Sequence, residues 1–311
     1  MTQSATPVSK ERVGVIELTM AMILSGTIGV FVVESTASSF NVVFFRCIFG
    51  AICLGSYCAF RGFFKETGFT AKSLGLAALG GVFIVFNWAF LFSAYRSTSI
   101  SVATVVYHTQ PFYVLLLGAI IFRDKITAGK VAWVLVAFVG VVLVTGLSVA
   151  DLEGANAAYL LGVGKALLAA VFYAFATIIA KRLKGIRPHL IALTQVLVGI
   201  PLLFPFTTLS EVNNLGVKWG WLAGLGLIHT CIMYILLYSS YQKLPTPKIA
   251  VLSFTYPAVA IIFDMAVYHT RITVLQAVGI PMILIAGLGL NLGWSILPRR
   301  AAAAPDPAKS S

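Results

Sequence analysis

The stretch VVYHTQPFY at residues 105–113 places a histidine, a glutamine and a proline inside an otherwise apolar run. Pro111 cannot donate the helical hydrogen bond to the carbonyl of Tyr107, so that carbonyl is left as an acceptor. A new half-helix begins at such a break, and the positive end of its dipole favours an anion. An acceptor and an anion site side by side suit a small zwitterion, such as an amino acid. A simple proline kink, satisfied by neighbouring helices, is the alternative interpretation.

A second stretch, VLSFTYPAV at residues 251–259, repeats this chemistry 146 residues later. Pro257 aligns with Pro111 and leaves the carbonyl of Ser253 without its helical donor. Two prolines in equivalent positions favour a functional break over an isolated kink. We therefore expect Pro111, Pro257 and the nearby Gly118 to act as hinges.

Polar and aromatic side chains around these breaks are the candidates for contact with a solute. Thr104 and His108 share one helix face with Pro111, and His229 lies midway through another apolar run. A histidine there normally faces a cavity or a partner, although a structural hydrogen-bonding role explains it equally well. Aromatic rings would suit an apolar pocket with few polar contacts. The candidate substrate-binding residues are His229, His108, Thr104, Tyr107, Ser253, Tyr256, Phe86 and Tyr173.

Four ionisable residues inside apolar runs, Glu17, Lys165, Arg46 and Asp264, are candidates for gating or charge coupling. Glu17 and Lys165 are expected near opposite ends of the pathway, where gating and snorkelling towards the membrane surface both explain them. Arg46 and Asp264 are expected at similar depth. We predict a structural ion pair between them, with a substrate contact as the alternative.

The composition places all these residues in a membrane protein. The chain is 59% apolar and only 10% charged, with a mean hydropathy of +0.96, whereas soluble domains are about 25% charged. Its net charge of +12 lies in short breaks between apolar runs, which indicates membrane orientation and argues against a nucleic-acid partner. The four cysteines show no metal-ligand spacing, so we predict no metal site and no cofactor.

Apolar segments long enough to cross a bilayer, which takes about 20 residues, occur ten times. They are residues 13–33, 38–60, 73–94, 101–121, 127–147, 159–180, 190–209, 219–241, 248–267 and 273–296. An even number of spans puts both termini on one side. With the N-terminus inside, seventeen of the 22 Lys and Arg residues fall in cytoplasmic segments and three in external loops. We therefore predict a bacterial cytoplasmic (inner) membrane protein with both termini in the cytoplasm.

The two proline stretches belong to a longer internal repeat. The register continues from FSAY (92–95) against YSSY (238–241) to FRDKIT (122–127) against YHTRIT (268–273), and Gly14 and Glu17 align with Gly162 and Lys165. Since each unit has five spans, the second copy is inverted in the membrane. The predicted parts are a cytoplasmic N-terminal tail (1–12), a first five-helix repeat (13–147), an external linker (148–158), a second, inverted five-helix repeat (159–296) and a disordered cytoplasmic tail (297–311).

Inverted repeats with Gly/Pro-interrupted helices are typical of secondary transporters. The chain resembles the EamA branch of the drug/metabolite transporter superfamily in FFRCIFG (44–50), HTQPFYVLLLGAIIFRDKIT (108–127) and TYPAVAIIFDMAVYHTRIT (255–273). Family members often have Glu after the fourth span, where this chain has Asp124 and, in the second copy, Thr270. Within the branch it is most similar to YddG-type exporters of aromatic amino acids.

The resemblance and the residues together predict a transporter of a small-molecule substrate in the lipid bilayer, which we expect to be a monomer. Our first hypothesis is export of small neutral amino acids, aromatic ones above all, by alternating access. A carrier of another metabolite, such as a nucleotide sugar, an organic phosphate or a drug-like compound, is the second. An intramembrane enzyme is the third, although no HExxH motif or paired-carboxylate constellation is found. Without a GxxxxGK[ST] loop, transport would not be driven by ATP on this chain, and proton coupling and facilitated diffusion both remain open.

Overall fold

The computed structural model of the chain describes residues 7–122, 127–145, 157–180, 182–213, 215–244 and 246–294. Within these residues the structure is helical and contains no strand, so the all-α prediction is confirmed there. Most of the predicted linker (148–158), the predicted tail (297–311) and Asp124 lie outside the described residues.

The first half of the chain forms six helices. They are α1 (Pro7–Glu34), α2 (Ser39–Phe60), α3 (Ala71–Ser97), α4 (Ile100–Tyr107), α5 (Gln110–Phe122) and α6 (Ala128–Thr145). The second half forms α7 (Ala157–Ala180), α8 (Pro188–Leu203), α9 (Leu209–Val212), α10 (Trp219–Gly226), α11 (Met233–Tyr241), α12 (Thr246–Ser253), α13 (Thr255–Tyr268) and α14 (Val274–Leu292). A π-helical turn, Leu227–Ile232, joins α10 to α11.

The described residues contain eight helical segments long and apolar enough to cross a membrane, counting α4 with α5 and α10 with α11 as one segment each. Two shorter apolar helices, Ala128–Val144 and Thr255–Tyr268, occupy the places of the predicted fifth and ninth spans. The count of ten membrane crossings therefore stays a prediction. Capping boxes at Thr70 and Thr273 begin α3 and α14, and so satisfy backbone donors that the first helical turn leaves free.

The fourth and ninth predicted spans are both interrupted. Helix α4 ends at Tyr107 and α5 begins at Gln110, while α12 ends at Ser253 and α13 begins at Thr255. Pro111 and Pro257 lie in the first turn of the half-helix that follows each interruption, where a missing N–H breaks no bond. The two interruptions are separated by the 146-residue repeat shift.

Helix packing follows the repeat. If each helix is exchanged for its counterpart in the other half, the main contacts map onto one another. The contact of α3 with α7 corresponds to the contact of α1 with α10 and α11. The contact of α1 with α13 corresponds to that of α7 with α4 and α5, and the contact of α2 with α10 corresponds to that of α8 with α3. The pairs α2 on α8 and α6 on α14 each map onto themselves. Thus the sequence repeat is also a repeat of helix contacts.

Two glycines allow the equivalent helix crossings. A Cβ atom on Gly14 would lie 2.8 Å from Cβ of Lys243, and one on Gly162 would lie 2.6 Å from Cβ of Ser97. Lys243 and Ser97 are themselves related by the repeat shift. The start of α1 therefore packs on the chain just after α11 in the same close manner as α7 packs on the end of α3.

Candidate functional site

A π-helical turn positions the central polar residues. His229 lies in this turn and is fully buried. Its Nε2 is 2.9 Å from the Thr27 hydroxyl of α1, and its ring packs edge-on against Phe31 at 4.5 Å between centroids. π-Helical turns are rare and are often found at functional sites. The sequence pattern did not predict this π-helical turn.

Arg46 of α2 reaches the same turn and is only 1% exposed. Its Nε donates to the Thr230 hydroxyl at 2.9 Å, and its Nη2 donates to the backbone carbonyl of His229 at 3.3 Å. The guanidinium lies 4.1 Å from the centre of the Trp88 ring, within the range of a cation–π interaction. Arg46 is thus held by a hydroxyl, a carbonyl and an aromatic face.

The predicted ion pair between Arg46 and Asp264 is wrong. Oδ2 of Asp264 accepts the backbone N–H of Ser101 at 2.8 Å, and Oδ1 accepts the Thr270 hydroxyl at 3.2 Å. Because Ser101 is in the first turn of α4, the helix dipole offsets the carboxylate charge there. Depth along a span was the basis of the prediction, and depth does not determine the direction in which a side chain leaves its helix.

Asp264 lines a cavity of about 190 Å³. The cavity lies at the end of the bundle where α1 and α13 finish and α4 begins, which we call the Glu34 end because the Tyr268 hydroxyl donates to Glu34 there at 2.9 Å. The lining residues are Val33, Tyr95, Thr98, Ser99, Ile100, Asp264, Tyr268 and Thr270.

Tyr95 connects this cavity with the interior. Its hydroxyl is 3.3 Å from the hydroxyl of Tyr256, and its ring stacks on Phe92 at 6.0 Å between centroids. Phe92 in turn lies 5.7 Å from the Arg46 guanidinium. Tyr95 and Phe92 thus form a chain of two aromatic rings that leads from the cavity lining to the arginine.

The residues around the two interruptions pack together. The His108 ring lies 5.1 Å from that of Tyr256, and the Tyr107 ring lies 5.9 Å from that of Tyr173. Nδ1 of His108 is 2.8 Å from the carbonyl of Thr104, one turn earlier. The buried Thr104 hydroxyl has no hydrogen-bond partner among the described residues.

Two other candidates lie in different surroundings. The Ser253 hydroxyl donates to the Ile249 carbonyl of its own helix at 2.8 Å. Phe86 belongs to a cluster of phenylalanine rings between α3 and α7, with Phe90 at 6.4 Å and Phe172 at 6.1 Å. The α3 rings beside Arg46 are instead Trp88 and Phe92. Their spacing of four residues places them on one helix face, and this spacing is the sequence feature that could have identified them as a pair.

The charged candidates Glu17 and Lys165 lie at opposite ends of the bundle. Oε1 of Glu17 is 2.5 Å from Nζ of Lys243 and accepts the Ser239 hydroxyl at 3.0 Å. We call this the Glu17 end. Near the other end, Nζ of Lys165 donates to the Ser93 hydroxyl at 2.8 Å. Gly118, the third proposed hinge, is buried within α5.

The comparisons with known proteins agree with this architecture. The EamA-like transporter family matches the chain twice, over residues 12–146 and 160–292. The chain is 33% identical over 298 residues to the uncharacterized transporter YxxF of Bacillus subtilis, covering 94% of each. It is 22% identical over 286 residues to an uncharacterized transporter of Archaeoglobus fulgidus, covering 91% of this chain and 97% of that one.

A crystal structure of a protein with 16% sequence identity superposes with a TM-score of 0.60, covering 89% of this chain and 95% of that chain. This likeness shows a shared fold. The two family matches together span nearly the whole chain, one in each half of the contact repeat. The chain is therefore an integral membrane protein that belongs to the EamA-like transporter family.

Proposed function

We propose that this transporter exports small neutral amino acids, aromatic ones above all, by alternating access. The observation that carries the proposal is the pair of helix interruptions before Pro111 and Pro257. Interrupted helices at equivalent repeat positions are where secondary transporters bind their substrates. Each interruption supplies a carbonyl acceptor and a helix N-terminus, which are complementary to an ammonium and a carboxylate group.

The side chains between the interruptions support an apolar substrate with polar ends. Tyr107, Tyr173, Tyr256 and His108 bring rings together at the breaks, and the Thr104 hydroxyl is buried among the same helices. A few polar groups within aromatic walls are typical of sites that bind an amphipathic small molecule. An organic phosphate or nucleotide sugar would need several basic groups at this depth, whereas Arg46 is the buried basic side chain at the centre of the described residues.

The repeat supports alternating access because the Glu17–Ser239 contact at one end has its counterpart in the Lys165–Ser93 contact at the other. In this conformation the Glu17 end is closed by the Glu17–Lys243 ion pair, while the Glu34 end contains the cavity. With the N-terminus in the cytoplasm, the Glu17 end is the cytoplasmic one. We propose that the structure is closed towards the cytoplasm and that rearrangement at the two interruptions exchanges this closure for one at the Glu34 end.

Counterflow in proteoliposomes tests the proposal. Purified protein is reconstituted with unlabelled phenylalanine, tryptophan, leucine or alanine inside, and entry of the labelled amino acid is measured. We expect exchange of at least one of them, and exchange of none would refute the substrate class. Repeating the assay with and without an imposed pH gradient distinguishes proton coupling from facilitated diffusion.

The double variant Pro111→Ala with Pro257→Ala tests the hinge role. An alanine N–H at each position could bond to the carbonyl of Tyr107 or Ser253, so that the helix continues through the interruption; this should stiffen the two spans and slow exchange on the order of ten-fold. Pro281→Ala is the matched control because Pro281 lies inside α14, which continues without interruption. Exchange at the wild-type rate in the double variant would refute the hinge role.

A further inference from the structure

Arg46 is a buried cation without an anionic partner. Among the described residues, no carboxylate lies within 4.0 Å of its guanidinium; the ion pairs there are Glu17–Lys243 and Glu11–Lys248. The ionisable groups that interact with Arg46 electrostatically include the phenols of Tyr234, Tyr95 and Tyr256, the Cys47 thiol and the His229 ring, and no carboxylate of the described residues is among them. An isolated charge at this depth is costly in a membrane protein and marks a functional site by default.

The hydrogen bonds of Arg46 leave one side of the guanidinium free. Nε and Nη2 are bonded to Thr230 and to the carbonyl of His229. Nη1 is buried and has no hydrogen-bond partner in the described part of the chain. A guanidinium has five N–H donors in a planar fork, and a carboxylate can occupy two of them at once.

The surroundings fix the direction of this free side. The Thr230 hydroxyl donates to the Leu225 carbonyl five residues earlier at 3.0 Å, a bond that spans the π-helical turn, and so presents its oxygen to Nε of Arg46. Trp88 covers the guanidinium from α3 at 4.1 Å. Arg46 is thus oriented by groups on two other helices while Nη1 remains available, which is the arrangement expected of a preorganised anion site.

The repeat shows that this site is single. The repeat shift is 148 residues at Glu17 and 146 from residue 92 onward, so the counterpart of Arg46 on α8 falls within residues 192–194 (Ala, Leu, Thr), none of which is basic. Trp88 and Tyr234 lie at equivalent positions on α3 and α11. The rest of the centre is therefore aromatic on both sides, and one positive charge breaks its symmetry. One guanidinium matches one carboxylate better than it matches a phosphate dianion.

We propose that Arg46 binds the carboxylate of the transported solute through Nη1, so that the substrates of this protein are monocarboxylates such as amino acids and not amines or other compounds without a carboxylate. The inference rests on the proposed transport function. In this structure the rings of Tyr95 and Phe92 form the chain that leads from the cavity at the Glu34 end to Arg46. The proposal requires the Tyr95 and Tyr256 hydroxyls, which are 3.3 Å apart here, to separate so that the solute can pass from that cavity to the arginine.

A panel of matched ligands tests the proposal. It contains phenylalanine, leucine and alanine, their carboxamides, which lack the negative charge, and the corresponding acids without the amino group. Binding is measured as a ligand-dependent shift in the thermal unfolding of purified protein, and transport as counterflow. We expect the carboxylates to bind at least ten-fold more tightly than the carboxamides, since a charge-assisted hydrogen bond contributes about 1.5–3 kcal/mol.

Arg46→Gln should remove this preference, so that acid and carboxamide bind equally, while Arg46→Lys should retain part of it. The ratio of acid to carboxamide affinity distinguishes a carboxylate contact by Arg46 from a purely structural role, because a structural defect would weaken binding of both ligands alike. Arg96→Gln is the matched control, since Arg96 donates to the backbone carbonyls of Val32 and Ala37 and should keep the wild-type ratio. If Arg46→Gln does not fold, the ratio of acid to carboxamide affinity in the wild-type protein tests the proposal: a ratio near one would overturn it.

The outcomes separate this inference from the proposed function. Binding of the acids without an amino group, but not of amino acids, would refute amino-acid export and support the carboxylate site. Equal transport of amino acids and their carboxamides by the wild type would support an amino-acid carrier and overturn the role of Arg46. An unchanged ratio in Arg46→Gln would also overturn it. Failure of every ligand to bind would overturn both.

Discussion

Lys165 donates a hydrogen bond to Ser93 at 2.8 Å, and the residues equivalent to them in the other half, Glu17 and Ser239, are bonded at 3.0 Å. The same contact therefore occurs at both ends of the bundle. The two ends differ at a third position. Lys243 forms an ion pair with Glu17, whereas the residue equivalent to Lys243 at the other end is the uncharged Ser97. Under the proposed mechanism, this difference would hold the Glu17 end closed more firmly than the other.

The Glu17–Lys243 pair should stabilise closure of the Glu17 end. Glu17→Gln keeps a partner for Ser239 but removes the charge attraction, which for a partly exposed pair is worth about 0.5–1 kcal/mol. We expect a cysteine at the buried position Leu18 to react with a maleimide roughly two- to five-fold faster in this variant. The background is a protein in which Cys47, Cys53, Cys58 and Cys231 are replaced by alanine.

Glu11→Gln is the control for this experiment, because Glu11 pairs with Lys248 at a more exposed position. The charge exchange Glu17→Lys with Lys243→Glu should restore slow labelling. Equal labelling rates in Glu17→Gln and its parent would show that the ion pair does not hold this end closed.

Gly162 should be intolerant of even a methyl group. A Cβ atom there would lie 2.6 Å from Ser97 and 2.7 Å from Thr98, so Gly162→Ala must separate α7 from the end of α3. We expect a loss of about 1–3 kcal/mol in unfolding free energy, the usual cost of overpacking. Gly164→Ala is the matched control on the same helix, because nothing lies within 4 Å of its Cβ position.

Thermal unfolding in detergent measures both variants. Gly164→Ala should be neutral or slightly stabilising, since alanine favours helix more than glycine does. Gly14→Ala should behave like Gly162→Ala, because a Cβ atom there would lie 2.8 Å from Lys243. Identical midpoints for Gly162→Ala and Gly164→Ala would contradict the close helix crossing.

Asp264 should act as an anchor for the start of α4. Asp264→Ala leaves the buried N–H of Ser101 unsatisfied, which costs about 1–3 kcal/mol. Asp264→Asn keeps an oxygen that can accept from Ser101, so we expect it to lose clearly less stability than the alanine variant. The thermal midpoints of the two variants check this order, and an asparagine variant as unstable as the alanine variant would show that the charge itself is required.

The orientation in the membrane is open to a direct test. The Lys and Arg bias predicts that both termini are cytoplasmic, that the loop after residue 60 is inside and that the loop after residue 97 is outside. Alkaline phosphatase, which is active only outside the cytoplasm, should be active when fused after Thr98 and inactive when fused after Lys65. The opposite pattern would invert the topology and assign the Glu17 end to the exterior.

Much of the architecture was accessible from sequence patterns. The proline pair and the 146-residue register predicted where α4 and α12 end, because a proline lacks the backbone N–H that would continue its own helix. The repeat alignment paired Gly14 with Gly162, and both glycines lie at close helix crossings. Residue chemistry and the internal repeat were sufficient to predict these features, since both can be read directly from the order of residues in the sequence.

Side-chain partners across helices were not accessible in this way. Arg46 and Asp264 lie at similar predicted depths, yet Arg46 turns towards Trp88 and Thr230 while Asp264 turns towards Ser101. Likewise, no pattern indicated that Glu17 would meet Lys243 or that His229 would lie in a π-helical turn.

The sequence by itself determined the class of protein, the repeat and the positions of the helix breaks, because composition, register and proline chemistry are local properties. The rotation of each helix about its axis depends on how all its neighbours pack, and this rotation decides which side chains meet. Only the tertiary structure therefore showed that the buried arginine at the centre has a free donor and no anion beside it among the described residues.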